Sequence, residues 1–333
     1  MKQPEYQGAG WALHNSDCVE GMHAMPVESV DCAIFSPPFG DLFVYSDSER
    51  DLGNAGTGQA FIEQYRFFAE ALARVMKPGR IACVHCTDLP MRKGRDGAIG
   101  LGDFSGDLVK AHSAAGMIYH GRATIWKDPV VEMQRTKALG LLYKQIRKDS
   151  AMNRVGMPDY MLFFRAPGDN PDRIEHAAPG DTQAALPIAR KWLEHMRREG
   201  LASGVPDDAA LGAILPHVEF DVYEWQKLAS PVWMNIQQGK VLSGWRAAKG
   251  EADERHVCPL QLDVIENCLR LYSKPGDVVM DPFNGIGSTG YQALKMMRRY
   301  IGFELKPEYA KQAGANLAEA ERSVGDLFGV AAE

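Results

Sequence analysis

The chain has 333 residues, of which 45% are hydrophobic, and its formal net charge is -6 at pH 7. This length and composition suit a globular protein with a sizeable core, built as one large domain or as two small domains that share a cleft. The charge excludes a protein coated in basic surface, so any binding of nucleic acid must depend on local patches.

The lack of a recognisable targeting signal and the scattered cysteines indicate a reducing compartment. Residues 1–10 are polar and lack a signal pattern, and no apolar run is long enough to span a bilayer, so we expect a cytoplasmic protein without membrane contact. The six cysteines are scattered, which indicates reduced thiols. Cys83 and Cys86 lie on one predicted strand, where residues three apart face opposite ways, so we expect no metal site.

The first predicted elements lead to a proline-rich tetrapeptide. Apolar patterns predict a strand at 11–14, a short polar connection at 15–17, and a buried strand at 30–35. The second strand runs directly into Ser-Pro-Pro-Phe at 36–39. The strand therefore delivers this tetrapeptide to an edge of a sheet.

Alternating helices and strands continue to residue 165. The glycine-rich segment 94–106 is expected to be a long surface loop that either closes over a site or stays mobile. The other predicted elements are a helix at 61–76, a strand at 80–85, a helix at 103–115, a strand at 118–126, a long basic helical stretch, and a strand at 160–165. This alternation predicts an α/β fold with a doubly wound sheet.

The basic stretch is a candidate nucleic-acid interface. Between residues 127 and 154, seven cations stand against three acidic residues. The candidates for phosphate contact are Arg135, Lys137, Lys144, Arg147 and Lys148. A solvated helix face explains the same charges equally well, so both interpretations stay open.

The chain changes character after residue 165. Composition shifts at 166–171 and periodicity weakens as far as about 255, so we predict an inserted, less regular recognition region at 166–255. From 259 onward the pattern gives a helix, a strand at 277–281, a glycine loop, a helix, a strand at 300–304 and a last helix from 307. The recognition region thus separates residues 1–165 from residues 256–333.

The glycine loop reads Asp-Pro-Phe-Asn-Gly-Ile-Gly-Ser-Thr-Gly at 281–290, between a strand and a helix. The spacing of Gly285, Gly287 and Gly290 lets the backbone approach a nucleotide-like ligand closely. The spacing alone suits a dinucleotide as well as S-adenosylmethionine.

Two carboxylates favour S-adenosylmethionine. Asp281 ends its strand, where it can pair with the ammonium of the methionine part. Glu304 ends the next strand and can accept hydrogen bonds from both ribose hydroxyls. The alternative role of each is to cap the following helix.

Ser36, Pro37, Pro38 and Phe39 form a candidate catalytic loop for methylating an amine on an aromatic base. The lone pair of such an amine is delocalised, so the enzyme must accept both N–H groups and turn the nitrogen toward the methyl donor. The Ser36 hydroxyl and the Pro37 carbonyl are the acceptors, held in place by consecutive prolines. Phe39 offers a flat face for an extruded base, a contact worth ~1–3 kcal/mol. The alternative is a proline-rich turn with a core phenylalanine.

Together these residues resemble the beta-class DNA amino-methyltransferases, whose catalytic motif precedes the cofactor motif. Residues 36–39 are similar to that family's D/N/S-P-P-Y/F motif, and 281–290 to its D-P-F-x-G-x-G motif. The resemblance implies that Asp17 contacts the cofactor's adenine and that 256–262 lies on the cofactor side. The cofactor-binding residues it implies are Asp17, Pro259, Asp281, Phe283, Gly285, Gly287, Ser288 and Glu304.

The resemblance implies a Rossmann-like methyltransferase fold, S-adenosylmethionine as donor, double-stranded DNA as substrate and a homodimer. Residues 1–165 would form the catalytic half of the methyltransferase domain, 166–255 the target-recognition region, and 256–333 the cofactor-binding half. The phrases at 124–130 and 230–233 are similar to those of phage- or prophage-type solitary enzymes. We therefore expect no partner nuclease.

The target base is where the resemblance divides. An initial serine in the catalytic motif often goes with cytosine N4 enzymes, whereas solitary relatives are frequently adenine N6 enzymes. We favour adenine N6, with cytosine N4 as the alternative. Two alternatives from other classes are a nicotinamide-dependent oxidoreductase, which leaves the tetrapeptide unexplained, and a DNA-binding protein without catalysis.

Overall fold

The computed structural model describes residues 3–39, 59–91, 93–98, 100–136, 139–244 and 259–327. Within these ranges, the backbone alone is described at 59–60, 95–96, 135–136, 139 and 325–327.

One large sheet dominates the described residues. The strands are β1 Tyr6–Gln7, β2 Trp11–Asn15, β3 Val30–Phe35, β4 Met76–Thr87, β5 Leu89–Met91, β6 Gly100–Gly102, β7 Ile118–Ile125, β8 Asp159–Arg165, β9 Val232–Trp233, β10 Val278–Asp281 and β11 Arg299–Glu304. The sheet order is β1-β2-β11-β10-β3-β4-β8-β7-β9, while β5 and β6 form a separate hairpin. The neighbouring pairs β2–β11, β11–β10, β10–β3 and β3–β4 are parallel. Strands β8 and β7 continue the sheet beyond β4, through the antiparallel pairs β4–β8 and β8–β7.

Helices cover both faces of the sheet. They are α1 Cys18–Ala24, α2 Gln59–Val75, α3 Lys93–Asp96, α4 Phe104–Ala114, α5 Pro129–Thr136, α6 Tyr143–Lys148, α7 Thr182–Arg198, α8 Asp207–Val218, α9 Val222–Leu228, α10 Leu262–Tyr272, α11 Ser288–Lys295 and α12 Pro307–Leu327. No helix among the described residues is both long enough and apolar enough to cross a membrane.

The central strands alternate their side chains between two hydrophobic cores. Ala33 and Phe35 pack with α1, α2 and α4, whereas Cys32 and Ile34 pack with α10, α11 and α12. A strand buried on both faces in this way is typical of a doubly wound sheet, so the predicted fold class is confirmed. Cys83 and Cys86 likewise lie in different cores, as the strand period predicts.

The prediction of only a short polar connection between the strand at 11–14 and the strand at 30–35 is wrong. The seven-residue helix α1 lies between them, and Asp17 caps it by accepting a hydrogen bond from the Glu20 N–H at 2.9 Å. Only Cys18, Gly21 and Met22 of this helix are buried. So short a helix gives too few apolar positions for a helical period to stand out.

The segment 94–106 is not the long loop that was expected. Its described part contains the end of α3, the strand β6 paired antiparallel with β5, and the start of α4, which Asp103 caps. The strands of this hairpin have three residues each and are partly exposed, so they carry no apolar alternation. The described part of the basic stretch also differs from the prediction: it forms two short helices and two 3₁₀ turns instead of one long helix.

The expectation of a less regular region at 166–255 is wrong for the helical part, α7 to α9. Helices α7 and α8 pack together around their own core, which includes Trp192 and Ile214. Pro187 lies inside α7 and disguises its pattern in the sequence.

The α7–α8 pair packs at the edge where the parallel strands begin. His217 Nδ1 lies 3.4 Å from a guanidinium nitrogen of Arg298, the residue before β11. A Cβ placed on Gly276, just ahead of β10, would lie 2.7 Å from His195. The pair therefore covers the end of the sheet opposite to the carboxyl ends of these strands.

Candidate active site

The two predicted loops leave the same edge of the sheet. Strands β3 and β10 are parallel neighbours, with Cys32 opposite Val279 and Ala33 opposite Met280. The Thr289 hydroxyl donates a hydrogen bond to the Ile34 carbonyl at 3.2 Å, which connects α11 to β3. The tetrapeptide at 36–39 and the glycine loop therefore lie side by side.

The tetrapeptide is held firmly at its base. Pro37 and Pro38 are buried, while Ser36 and Phe39 are half-buried. The Phe39 ring packs edge-on against Phe104, with the ring centroids 5.9 Å apart. The buried prolines fix the backbone that carries the Ser36 hydroxyl and the Pro37 carbonyl.

Sequence reasoning missed a histidine that lies beside Ser36 and an aspartate that lies beside that histidine. His85 Nδ1 lies 3.1 Å from Ser36 Oγ, and His85 Nε2 lies 3.3 Å from Asp159 Oδ2. Lys127 Nζ lies 2.5 Å from the other oxygen of Asp159. The sequence carried one signal for them, since His85 ends one predicted strand and Asp159 immediately precedes another.

The glycines of the glycine loop differ in their surroundings. Gly285 has a φ of 53°, a left-handed conformation that favours glycine, and a Cβ placed on it would meet no atom within 4 Å. A Cβ on Gly290 would lie 2.5 Å from both Tyr300 and Leu317. Gly285 thus leaves open space beside the loop, whereas Gly290 allows α11 to pack closely.

Asp281 is a buried carboxylate at the end of β10. Burial raises its pKa to about 7, although the neighbouring Thr289 side chain and the hydrogen bond from the Phe283 N–H oppose the shift. Across the described ranges, no lysine or arginine forms an ion pair with it. The ammonium of a bound ligand would supply the missing positive charge, so the residue fits the predicted contact.

Glu304 holds the glycine loop against β11. One carboxylate oxygen accepts the Gly285 N–H at 2.7 Å, and the other accepts the Lys306 N–H at 2.8 Å. Asp17 follows β2. The last residue of β2, Asn15, is opposite Glu304, so Asp17 lies at the same edge of the sheet as Glu304.

The remaining cofactor candidates are partly or fully buried. Phe283 packs on Phe68 with a centroid separation of 4.8 Å, and Ser288 is buried at the start of α11. Pro259 is half-buried just before α10. Residues 256–258 of the predicted cofactor-side segment lie outside the described residues.

The basic segment leaves the sheet at the same edge as the tetrapeptide and the glycine loop. Asp159 at the start of β8 is opposite both Thr87 at the end of β4 and Ile125 at the end of β7, so residues 126–158 leave the sheet there. Lys144, Arg147 and Lys148 lie on α6, which has no buried residue. The side chain of Arg135 and the whole of Lys137 lie outside the described residues.

The two phrases at 124–130 and 230–233 are brought together by strand pairing. The Thr124 N–H donates to the Pro231 carbonyl at 2.8 Å, and the Trp126 N–H to the Trp233 carbonyl at 3.0 Å.

Downstream of β9, Leu242 packs against Ile286 of the glycine loop. The chain from 229 to 244 therefore runs from the far edge of the sheet to the cofactor loop.

Comparison with known proteins identifies the class of enzyme. The family model for N6 and N4 methyltransferases, described as a DNA methylase, matches residues 30–315. The chain belongs to this family. It is therefore a DNA amino-methyltransferase that uses S-adenosylmethionine, and the oxidoreductase alternative is wrong.

Relatives of this DNA methylase family agree over most of the chain. The type II methyltransferase M1.MboII of Moraxella bovis is 39% identical over 316 residues, covering 93% of this chain and 97% of its own. TTHA0409 of Thermus thermophilus, solved with S-adenosyl-L-methionine, is 20% identical with a TM-score of 0.58 and covers 92% of this chain and 93% of its own. The cytosine-N4-specific PvuII DNA methyltransferase, known from Proteus hauseri, has the same TM-score at 17% identity, covering 98% of this chain and 94% of its own. The two structures support the Rossmann-like methyltransferase fold.

Proposed function

We propose that this enzyme transfers the methyl group of S-adenosylmethionine to the exocyclic amine of a base flipped out of double-stranded DNA. Adenine N6 is the favoured target, and cytosine N4, which the initial Ser36 favours, is the alternative. The observation that carries the proposal is the pairing of β3 with β10, because it brings the tetrapeptide, with its proposed acceptors, beside the glycine loop.

Three groups of this chain suit the cofactor. Asp281 offers a buried negative charge for the ammonium, Gly285 leaves space beside the loop, and Glu304 offers lone pairs for ribose hydroxyls. When bound, the cofactor supplies an electrophilic methyl group. The adenine contact of Asp17 remains a prediction, since its carboxylate already caps α1.

The tetrapeptide suits the amine. The Ser36 hydroxyl and the Pro37 carbonyl are proposed to accept the two amine hydrogens, which frees the nitrogen lone pair to turn toward the methyl donor. Phe39 is proposed to stack on the flipped base. Homodimer formation, the lack of a partner nuclease and a cytoplasmic location remain predictions.

Methylated DNA identifies the target base directly. Plasmid DNA from cells that express the protein should be digested to nucleosides and examined by mass spectrometry. We expect N6-methyladenine; N4-methylcytosine would select the alternative base. Binding of S-adenosylmethionine and DNA without any methylated nucleoside would instead indicate a DNA-binding protein without catalysis.

Two substitutions separate catalysis from cofactor binding. Ser36→Ala removes one amine acceptor, so we expect turnover to fall roughly 100-fold while cofactor affinity stays nearly unchanged. Asp281→Ala removes the ammonium contact and should weaken cofactor binding first. Steady-state kinetics and calorimetric titration measure the two effects.

Ser29→Ala is the matched control, because Ser29 precedes β3 whereas Ser36 follows it. The control should keep full turnover. Unchanged turnover in Ser36→Ala would remove the acceptor role assigned to that hydroxyl.

A further inference from the structure

The Ser36 hydroxyl can serve the target amine only under one condition. A hydroxyl both donates and accepts hydrogen bonds, whereas the amine presents two N–H donors. Ser36 is therefore a dependable acceptor only if its own hydrogen is engaged elsewhere. Whether the Ser36 oxygen can accept from the amine therefore depends on which neighbouring group accepts the Ser36 hydrogen.

His85 is that neighbour in the structure. Its side chain is buried, and its Nδ1 lies 3.1 Å from Ser36 Oγ. Its Nε2 lies 3.3 Å from Asp159 Oδ2, within ion-pair distance although the N–H direction falls short of a hydrogen bond. The imidazole thus stands between a hydroxyl and a carboxylate.

Asp159 determines which imidazole nitrogen carries the hydrogen. Burial raises the pKa of Asp159, but the contacts with His85 and Lys127 outweigh burial and lower that pKa to about 2. An ionised carboxylate has no proton to donate, so it favours a hydrogen on the nitrogen that faces it. In a neutral His85, Nδ1 is then the acceptor.

We infer that His85 is a positioning residue for Ser36, held by Asp159 and Lys127 in the tautomer that carries its hydrogen on Nε2. The Ser36 O–H donates to Nδ1, which leaves the oxygen lone pairs for the target amine. This purpose rests on the proposed function, whereas the tautomer itself can be measured without DNA or cofactor.

Rigid neighbouring strands place these groups. His85 lies near the end of β4, Asp159 begins the adjacent β8, and Lys127 follows β7, the next strand in the sheet. The His85 ring also lies 6.2 Å from the Phe39 ring, so one imidazole contacts both ends of the tetrapeptide. Groups that a sheet positions in this way need little reorganisation when a substrate binds.

The first test measures the tautomer in the unaltered protein. Histidine labelled with nitrogen-15 gives separate NMR shifts for protonated and unprotonated ring nitrogens, and His85→Gln identifies the signal of His85 among the nine histidines. In the neutral imidazole we expect a protonated Nε2 and an unprotonated Nδ1. A hydrogen on Nδ1 would overturn the inference.

The second test inverts the tautomer with Asp159→Asn. Lys127 faces one oxygen of Asp159, so the amide oxygen of the asparagine should turn toward Lys127 and its NH₂ group toward Nε2. Nε2 must then accept, the hydrogen moves to Nδ1, and the Ser36 hydrogen loses its acceptor. We expect the NMR signature to invert and single-turnover methyl transfer to fall roughly 10- to 100-fold, with cofactor affinity nearly unchanged.

Asp128→Asn is the matched control. Asp128 neighbours Lys127 and accepts the Val130 and Val131 N–H groups, a capping role that asparagine fills equally well. The control should keep both the tautomer and the rate. Full methyl transfer by Asp159→Asn with an inverted tautomer would refute the positioning role, whereas a missing methylated product from the unaltered protein would count against the proposed function alone.

Discussion

The buried carboxyl group of Asp281 makes the stability of the ligand-free protein depend on pH. Its pKa is raised to about 7 in the folded protein from 3.8, so between these values the folded chain retains a proton that the unfolded chain has lost. The free energy of unfolding therefore decreases as pH rises through this window. Above it, the buried charge is a full cost to the folded state.

Asp281→Asn removes that cost because asparagine does not ionise. At pH 8 the variant should be more stable than the unaltered protein, by at most ~4 kcal/mol for a shift of about three pKa units, and the two should be nearly equal at pH 4. Denaturant titrations at both pH values measure the difference. Asp181→Asn, at an exposed helix cap, is the control and should not gain stability in the same way, because it removes no buried charge. Equal stabilities of Asp281→Asn and the unaltered protein at pH 8 would contradict the raised pKa.

The sequence was sufficient for residues whose role follows from position along one strand. Ser36 and Asp281 each stand directly at the end of a strand pattern, so both could be placed at a sheet edge. The contact of His85 with Asp159 could not, because it depends on β4 pairing with β8 across more than seventy residues of chain. Periodicity reports which face a residue occupies but gives no information on which strand lies next to it.

At the scale of elements, a buried ionic cluster joins the beginnings of β3, β4 and β10. Arg80 Nη2 lies 3.0 Å from Asp31 Oδ1, and Arg80 Nη1 lies 3.2 Å from Asp277 Oδ2. Lys274 pairs with Asp277 at 2.6 Å and also with Asp172, which follows β8. The carboxylates of Asp31, Asp172 and Asp277 lie close enough to hold a metal ion, but the cluster already contains its own cations.

Arg80→Met should be strongly destabilising, because it leaves two buried carboxylates facing each other without their shared cation. We expect a loss of about 3–5 kcal/mol in the free energy of unfolding. Lys77→Met is the matched control, since Lys77 pairs with the same Asp31 but is 32% exposed, and it should cost less than about 1 kcal/mol. Urea denaturation of both variants measures this contrast, and equal losses would show that burial does not govern the cluster.

Elements were predictable where they were long or buried on both faces. The central strands and α12 match their patterns because their apolar spacing extends over many positions. Helix α1 and the β5–β6 hairpin were missed because each is too short to show a period. The α7–α8 pair was missed because it packs around a small core of its own, and a proline interrupts its pattern.

At the scale of the whole molecule, the two edges of the parallel strands carry different groups. The tetrapeptide, the glycine loop and the base of the segment 126–158 share the edge where the strands end. The α7–α8 pair and the ionic cluster occupy the edge where they begin. Within the predicted target-recognition region, residues 229–244 therefore lie nearer to the proposed site than α7 and α8 do.

This division predicts which cations contact DNA. Lys144→Gln and Arg147→Gln on α6 should each weaken binding to all DNA sequences and reduce the slope of log affinity against log salt by about 1, since each phosphate contact releases counterions. Arg190→Gln and Arg198→Gln are matched controls, because these exposed arginines lie on α7 at the opposite edge. Their slopes should equal that of the unaltered protein in fluorescence anisotropy titrations across a range of salt concentrations. A reduced slope in the α7 variants with an unchanged slope in the α6 variants would place DNA at the edge where the strands begin, far from the amine acceptors, and would contradict this arrangement of the molecule.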